Sequence, residues 1–83
     1  MVQLTKTADK QLKRLHRAGA DVAERIKGAI RALALEPTGG KRLTGNYNGK
    51  WSYRAGRSYR IIYVIRGGDV VILTITPRRD AYR

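Results

Sequence analysis

The sequence lacks cysteine altogether and has a single histidine and only six acidic residues among 83. Without cysteine, disulfides and thiolate metal sites are excluded, and this composition fits a reducing cytoplasm. The lone His16 excludes a histidine triad for zinc, and nothing beside it predicts a serine–histidine–aspartate arrangement. Because the acidic residues are scattered, no carboxylate cluster for a hard cation is predicted. We therefore expect neither a metal nor another cofactor.

Long apolar segments are missing as well. The first ten residues, MVQLTKTADK, contain no apolar stretch of the kind found in signal peptides. No run approaches the roughly 20 apolar residues that a membrane helix needs. We expect a cytoplasmic protein that forms a single small domain over residues 1–83, with a thin core.

Positive charge dominates the composition. Eighteen lysines and arginines against six acidic residues give a net charge of +12. Charge of one sign destabilises the compact state by self-repulsion, and it is typical of proteins that bind a polyanion or an acidic partner. Binding to a nucleic acid would then depend strongly on salt.

The N-terminal part predicts two helices in a hairpin. Apolar residues at helical spacing follow Thr5 or Thr7, and Gly19 is a C-cap candidate that ends the first helix. Asp21, with a glutamate three residues later, is typical of a capping box at the start of the second helix. Pro37 ends that helix, because the residue before proline disfavours the helical conformation.

Further along, the apolar period changes from helical spacing to alternation. Residues 37–49 are rich in glycine and asparagine and predict a loop. Alternation then predicts three strands, at residues 50–54, 59–66 and 69–76. With a short strand around Gln3, the order β-α-α-β-β-β predicts an α+β fold. In it, the helical hairpin packs on one face of a small antiparallel sheet.

The last two strands are predicted to form a hairpin through Gly67–Gly68, since a two-glycine loop suits the type I′ turn. This hairpin brings the start of one strand beside the end of the next. Its predicted register pairs Arg66 with Asp69, Tyr63 with Ile72 and Arg60 with Ile75.

Lysine, arginine and tyrosine are the groups left for chemistry, and together they can cleave RNA without a metal. RNA carries its own nucleophile, the 2′-hydroxyl, so an enzyme needs a base, an acid and cations that stabilise the developing charge. The predicted sheet brings such groups together from three places. These are Lys50 with Arg54 on one strand face, Arg60 on the next strand, and the C-terminal run from Arg78.

The C-terminal part of the chain, WSYRAGRSYRIIYVIRGGDVVILTITPRRDAYR (residues 51–83), with KRLTGNYNGKW before it, resembles the RelE/ParE superfamily of type II toxin–antitoxin toxins. The shared pattern is a strand with an arginine, then Tyr-Arg-apolar-apolar-Tyr, an apolar strand and a close of the form Arg-x-x-x-Tyr-Arg. The helical hairpin agrees in length and order, so the resemblance covers the whole chain. Characterised RelE-like members cleave mRNA in the ribosomal A site without a metal.

The resemblance implies roles for individual residues. Lys50 matches a basic position on the first long strand and is a candidate base, and Arg60 is expected to contact the scissile phosphate. Arg78 would stabilise the transition state or act as the acid, and Tyr82 would stack on or orient the substrate. Further contacts to RNA or its phosphates are expected from Arg54, Arg57, Lys41, Arg42 and Arg83.

Two positions depart from the family pattern and leave several functions open. Ser52 stands where the best-known members have a second lysine, and Pro77 stands where histidine or lysine is frequent. The leading interpretation is a toxin that acts as a ribosome-dependent mRNA endoribonuclease. The runner-up is a ParE-like inhibitor of DNA gyrase without chemistry of its own, and the third is a non-catalytic RNA-binding module. Both toxin interpretations imply an acidic antitoxin that wraps the basic surface.

Overall fold

The computed structural model describes residues 1–77, in which two helices lie against one face of a five-stranded sheet. In chain order, the elements are β1 (Val2–Leu4), α1 (Lys6–Ala18), α2 (Ala20–Leu35), β2 (Lys41–Arg42), β3 (Trp51–Ala55), β4 (Tyr59–Arg66) and β5 (Asp69–Pro77). The predicted α+β fold, with its helical hairpin on one face of the sheet, is confirmed. Within residues 1–77, neither helix is long and apolar enough to cross a membrane.

The sheet is mixed rather than purely antiparallel. Its strand order is β1-β5-β4-β3-β2, and β1 runs parallel to β5 while the other neighbours are antiparallel. The Val70 N–H donates to the Met1 carbonyl and the Thr5 N–H donates to the Ile72 carbonyl, each at 3.0 Å. A strand of three residues is too short for its pattern to indicate a direction, so the parallel edge was not predictable.

The helices begin and end close to the predicted positions, with one correction. The Thr5 hydroxyl accepts a hydrogen bond from the Ala8 N–H at 3.2 Å and caps α1, and Gly19 follows its last residue. The predicted capping box at Asp21 is wrong, because α2 begins without a side-chain cap. Since Gly19 alone joins the helices, Asp21 already lies in the first turn of α2. There its negative charge interacts favourably with the positive end of the helix dipole.

The apolar core lies between the helices and one face of the sheet. Ile26 and Leu33 of α2 belong to one buried cluster with Ile61 and Tyr63 of β4, and all four are fully buried. Burying a side chain of this size contributes about 1.5–3 kcal/mol. Trp51 of β3 extends the cluster by stacking on Tyr63, with ring centroids 6.1 Å apart.

The hairpin between β4 and β5 has the predicted turn. Gly67 and Gly68 both have positive φ angles, 56° and 85°, as a type I′ turn requires. Other residues adopt this backbone at a cost, so the two glycines fix where the hairpin turns. Two of the predicted pairs are confirmed, Arg66 with Asp69 and Tyr63 with Ile72.

The third predicted pair, Arg60 with Ile75, is wrong because the hairpin contains a bulge. The register shifts by one residue between Ile62 and Tyr63, so Arg60 faces Thr76 instead. A shift of one residue exchanges the two faces of a strand. Ile75 therefore lies in the core, 2% exposed, and Thr76 lies on the face that carries Arg60.

The segment predicted to be a loop, residues 37–49, contains more regular structure than expected. Two 3-10 turns, Pro37–Gly39 and Gly45–Tyr47, flank β2. The two residues of β2 add a short edge strand to the sheet, which the glycine-rich composition hides. Its pairs are Lys41 with Ser52 and Arg42 with Trp51.

Candidate functional site

A basic cleft lies on the sheet face opposite the core. Directly opposed residues of antiparallel strands share a face, and Arg54 is opposed to Arg60 while Lys41 is opposed to Ser52. These pairs bring three cations together around one serine. The cleft has a volume of about 320 Å³ and is lined by Gly39, Gly40, Lys41, Ser52, Tyr53, Arg54 and Arg60.

Arg60 lies deepest among the three cations. Its Nη1 donates to the Ser52 hydroxyl at 3.4 Å, and Ser52 is only 2% exposed. Lys41 and Arg54 are exposed at the rim. Among residues 1–77, the lining contains no carboxylate, so the potential in the cleft is positive and favours an anion.

Tyr63 fixes the wall of the cleft from inside the protein. Its hydroxyl donates to the Pro37 carbonyl at 2.7 Å and accepts from the Gly40 N–H at 3.1 Å. These two bonds tie the segment before Lys41 to the core. Burial raises the pKa of the Tyr63 hydroxyl, the bond from Gly40 opposes this shift, and the nearby Tyr53 adds to it.

The raised pKa of Tyr63 predicts a pH-dependent effect of Tyr63→Phe. At about pH 8 the free energy of unfolding of the variant is expected to be about 1–2 kcal/mol lower than that of the natural sequence, since two backbone groups lose their hydrogen-bond partner. A raised folded-state pKa means that the hydroxyl stabilises fully below its unfolded value of about 10 and less as pH rises further. In urea denaturation, the difference between the two proteins should therefore shrink above about pH 10. An equal difference at both pH values would contradict this assignment.

Lys50, the base candidate implied by the resemblance, does not line the cleft. Its Nζ lies 5.8 Å from the centroid of the Tyr47 ring. At about 3.3 Å per strand residue, its Cα is about 13 Å from that of Arg54. The structure therefore brings Lys41, Arg54 and Arg60 together and leaves Lys50 outside the cleft, just before the first residue of β3.

Two further candidates for phosphate binding point elsewhere. Arg42 lies on the opposite face of β2 from Lys41, with its guanidinium carbon 5.7 Å from the centroid of the Trp51 ring. Arg57 is exposed in the turn between β3 and β4 and lines a small depression beside α2. The candidates Arg78, Tyr82 and Arg83 lie outside the described residues.

Gly39 and Gly40 form one wall of the cleft. Residue patterns predicted neither this wall nor the hydrogen bonds of Tyr63 that hold it. The only signal in the sequence was the Gly39–Gly40 pair, which also fits an ordinary loop. Within residues 1–77, no three histidine, cysteine, aspartate or glutamate side chains are grouped to hold a metal ion.

Comparison with solved structures finds the same fold in several toxins. The chain is similar to the YoeB/ParE toxin from Agrobacterium tumefaciens, at 22% identity and a TM-score of 0.81, over 93% of this chain and 96% of that one. It is also similar to a chain of the RelBE2 toxin–antitoxin complex from Mycobacterium tuberculosis, at 30% identity and a TM-score of 0.79, over 94% and 96%. YafQ from E. coli is similar at 11% identity and a TM-score of 0.75, over 100% and 98%. No curated protein matches the chain in sequence.

The family assignment rests on sequence over nearly the whole chain. A family model described as the ParE toxin of the type II toxin–antitoxin system parDE matches residues 2–82. The same span contains the helical hairpin, the five strands and the basic cleft. The identity of 30% with a chain of a toxin–antitoxin complex agrees with this match. The chain therefore belongs to the ParE toxin family of type II toxin–antitoxin systems, within the RelE/ParE superfamily that residues 51–83 resemble.

Proposed function

We propose that this toxin cleaves mRNA on the ribosome as a metal-independent endoribonuclease. The observation that carries the proposal is the convergence of Lys41, Arg54 and Arg60 around the buried Ser52 in one open cleft. Among residues 1–77, no carboxylate lines the cleft beside these three cations, which favours a phosphate group over a neutral ligand. The RelE-like pattern of the sequence supports RNA as the source of that phosphate.

In the proposed reaction, the RNA 2′-oxygen attacks the adjacent phosphorus and the bond to the 5′-oxygen breaks. The products are a 2′,3′-cyclic phosphate and a 5′-hydroxyl. Arg60, oriented by Ser52, binds the scissile phosphate and stabilises the charge that grows on it. Arg54 and Lys41, at the rim, hold the neighbouring phosphates and so fix the backbone for in-line attack.

Proton transfer in this reaction needs a base and an acid. Lys41 lines the cleft, and Lys50 is the base that the family resemblance implies, so both lysines are candidates to accept the 2′-hydroxyl proton. For the departing 5′-oxygen, the resemblance assigns Arg78 as acid or transition-state stabiliser and Tyr82 as the residue that orients the substrate. Their proposed roles rest on the sequence alone.

Inhibition of DNA gyrase is the second candidate function. It is favoured by Ser52, which is buried against Arg60 at the position where a second lysine is expected in RelE-like enzymes. The description of the matching family as the ParE toxin favours it as well. In this alternative the basic cleft binds an acidic surface or DNA, and the toxin performs no chemistry of its own.

The proposed partners follow from the family and from charge. An acidic antitoxin would neutralise part of the net charge of +12 by wrapping the basic surface. A toxin–antitoxin complex is known for the RelBE2 relative, which gives this partner its precedent. The ribosome and mRNA would be the targets, and both are reached in the cytoplasm.

A translating cell-free extract tests the proposed function directly. The purified toxin is expected to produce new mRNA 5′ ends at ribosome-bound sites, and each new end should carry a hydroxyl group. A parallel supercoiling assay with purified DNA gyrase tests the alternative. Intact mRNA together with inhibited supercoiling would overturn the ribonuclease proposal in favour of the gyrase inhibitor.

A further inference from the structure

The outer edge of β5 changes partner halfway along the strand. β1 pairs with Val70–Ile72 and ends at Leu4, where the chain turns into α1. β5 continues to Pro77, with β4 along its other side. Buried backbone donors and acceptors need partners, so groups other than a strand must satisfy this part of the edge.

Two side chains take over from β1: that of Thr5, which caps α1, and that of Gln11, in the second turn of the helix. The Thr5 hydroxyl donates to the Leu73 carbonyl at 2.9 Å. The Gln11 Oε1 accepts from the Ile75 N–H at 2.6 Å, which is a backbone bond of the kind a neighbouring strand would make. The Thr74 hydroxyl lies 3.0 Å from Nε2 and 3.1 Å from Oε1 of Gln11, so both ends of this amide are used.

These bonds are made at the bulge. Ile62 pairs with Thr74 and Tyr63 pairs with Ile72, so Leu73 is the extra residue on β5. A continuous hairpin register would place Ile75 opposite Arg60, where the bulge places Thr76. The Thr74 hydroxyl and the Ile75 N–H, which contact Gln11, thus lie between the bulge at Leu73 and the pair of Arg60 with Thr76.

We infer that Gln11 is a positioning residue that fixes this register and keeps Thr76, rather than Ile75, beside Arg60. Its amide acts as a one-residue substitute for the missing length of β1. Without this bond, the Ile75 N–H loses its acceptor, and the continuous register competes by restoring the hairpin pairing. An isoleucine would then enter the cleft face and apolar surface would leave the core.

Amide hydrogen exchange and backbone NOEs test the register part of this inference. In Gln11→Ala, the Ile75 amide should exchange about 10-fold faster, and the NOEs between Arg60 and Thr76 should weaken. Gln11→Glu keeps an acceptor for the Ile75 N–H and should restore both signals. Gln3→Ala is the matched control, since Gln3 is exposed on β1. If the alanine variant does not fold, Gln11→Met keeps the side-chain volume without an acceptor and takes its place.

The catalytic part of the inference rests on the proposed function. In ribosome-bound mRNA cleavage, Gln11→Ala should lower the maximal rate about 10-fold or more through misplacement at the site. The ribosome concentration that gives half the maximal rate should stay unchanged, and Gln11→Glu should recover the rate. Exchange at Ile75 no faster than in Gln3→Ala, together with undiminished NOEs between Arg60 and Thr76, would overturn the inference, as would failure of the glutamate variant to restore a signal that the alanine variant has lost. A natural toxin that cleaves no RNA would refute the proposed function alone, because exchange still decides the role of Gln11.

Discussion

Replacing Arg60 with alanine is expected to lower the rate of mRNA cleavage about 100-fold to 1000-fold. Of the cations that line the cleft within residues 1–77, Arg60 lies deepest, and its Nη1 contacts the Ser52 hydroxyl, which fixes the direction of the guanidinium. A fixed cation at the scissile phosphate stabilises the transition state more than the ground state, so its removal should lower the maximal rate. Mapping and counting mRNA 5′ ends in a translating extract, at saturating ribosomes, measures this rate.

Arg66→Ala is the matched control for this experiment. Arg66 is an exposed arginine at the end of β4, beyond the cleft, so the variant has the same loss of charge. We expect it to keep nearly the full rate, with a salt dependence that is unchanged or slightly shallower, because one cation fewer is available to neutralise phosphates. Cleavage by Arg60→Ala at the rate of Arg66→Ala would remove Arg60 from the site.

The variant Arg60→Lys separates the charge of Arg60 from its shape. The introduced ammonium group keeps the positive charge but cannot contact two phosphate oxygens in one plane, so this variant should retain only part of the rate. Thermal unfolding of each variant shows whether a lost rate reflects chemistry or a damaged fold. A rate that follows the melting temperature across the variants would indicate the latter.

The parts of the fold that could be predicted from sequence are those with strong local signals. The Gly67–Gly68 pair fixed the position of the hairpin turn, and the alternation on either side fixed the register as far as Tyr63 and Ile72. Beyond this point the register depends on Thr5 and Gln11, which are more than 60 residues away in the chain. A local pattern contains no information on such a contact, so the pair of Arg60 with Ile75 was predicted in place of the bulge.

The candidate site likewise contains residues whose place local patterns predict and residues whose place they do not. Arg54 and Arg60 were placed on adjoining strands because alternation gives the face of each residue, and they oppose each other in β3 and β4. Lys41 reaches the same cleft only because β2 forms, and two residues in a glycine-rich segment do not predict a strand. Lys50 shares the alternation of Arg54, but the alternation alone does not show how far along the strand the cleft extends.

Gly40 is the position where the cleft wall and the core meet, and space is the reason for glycine there. Its φ of −84° is open to any residue, so backbone strain does not require glycine. A Cβ atom at this position would clash with the Tyr63 hydroxyl and would lie 2.8 Å from the Ser52 carbonyl oxygen. Both neighbours are buried and held in place, one by the core and the other by the sheet.

Gly40→Ala is therefore expected to lower the free energy of unfolding by about 3 kcal/mol, the sum of overpacking and a lost hydrogen bond. In a domain of this size, the melting temperature should fall by more than about 10 °C. The cleft wall would move with Gly40, so cleavage should also fall at temperatures where the variant is folded.

Gly39→Ala is the control that separates a steric clash at Gly40 from the general effect of replacing a glycine with alanine. A Cβ at Gly39 would meet its nearest neighbours, Glu36 and Tyr53, at an ordinary 3.8 Å. This variant should keep the stability of the natural sequence or gain up to about 1 kcal/mol, since alanine restricts the unfolded chain. In a double-mutant cycle, Tyr63→Phe should relieve part of the cost of Gly40→Ala, because the hydroxyl in the clash is gone. Equal stability of the two alanine variants would show that Tyr63 and Ser52 leave room at Gly40, and that the wall is not fixed by this contact.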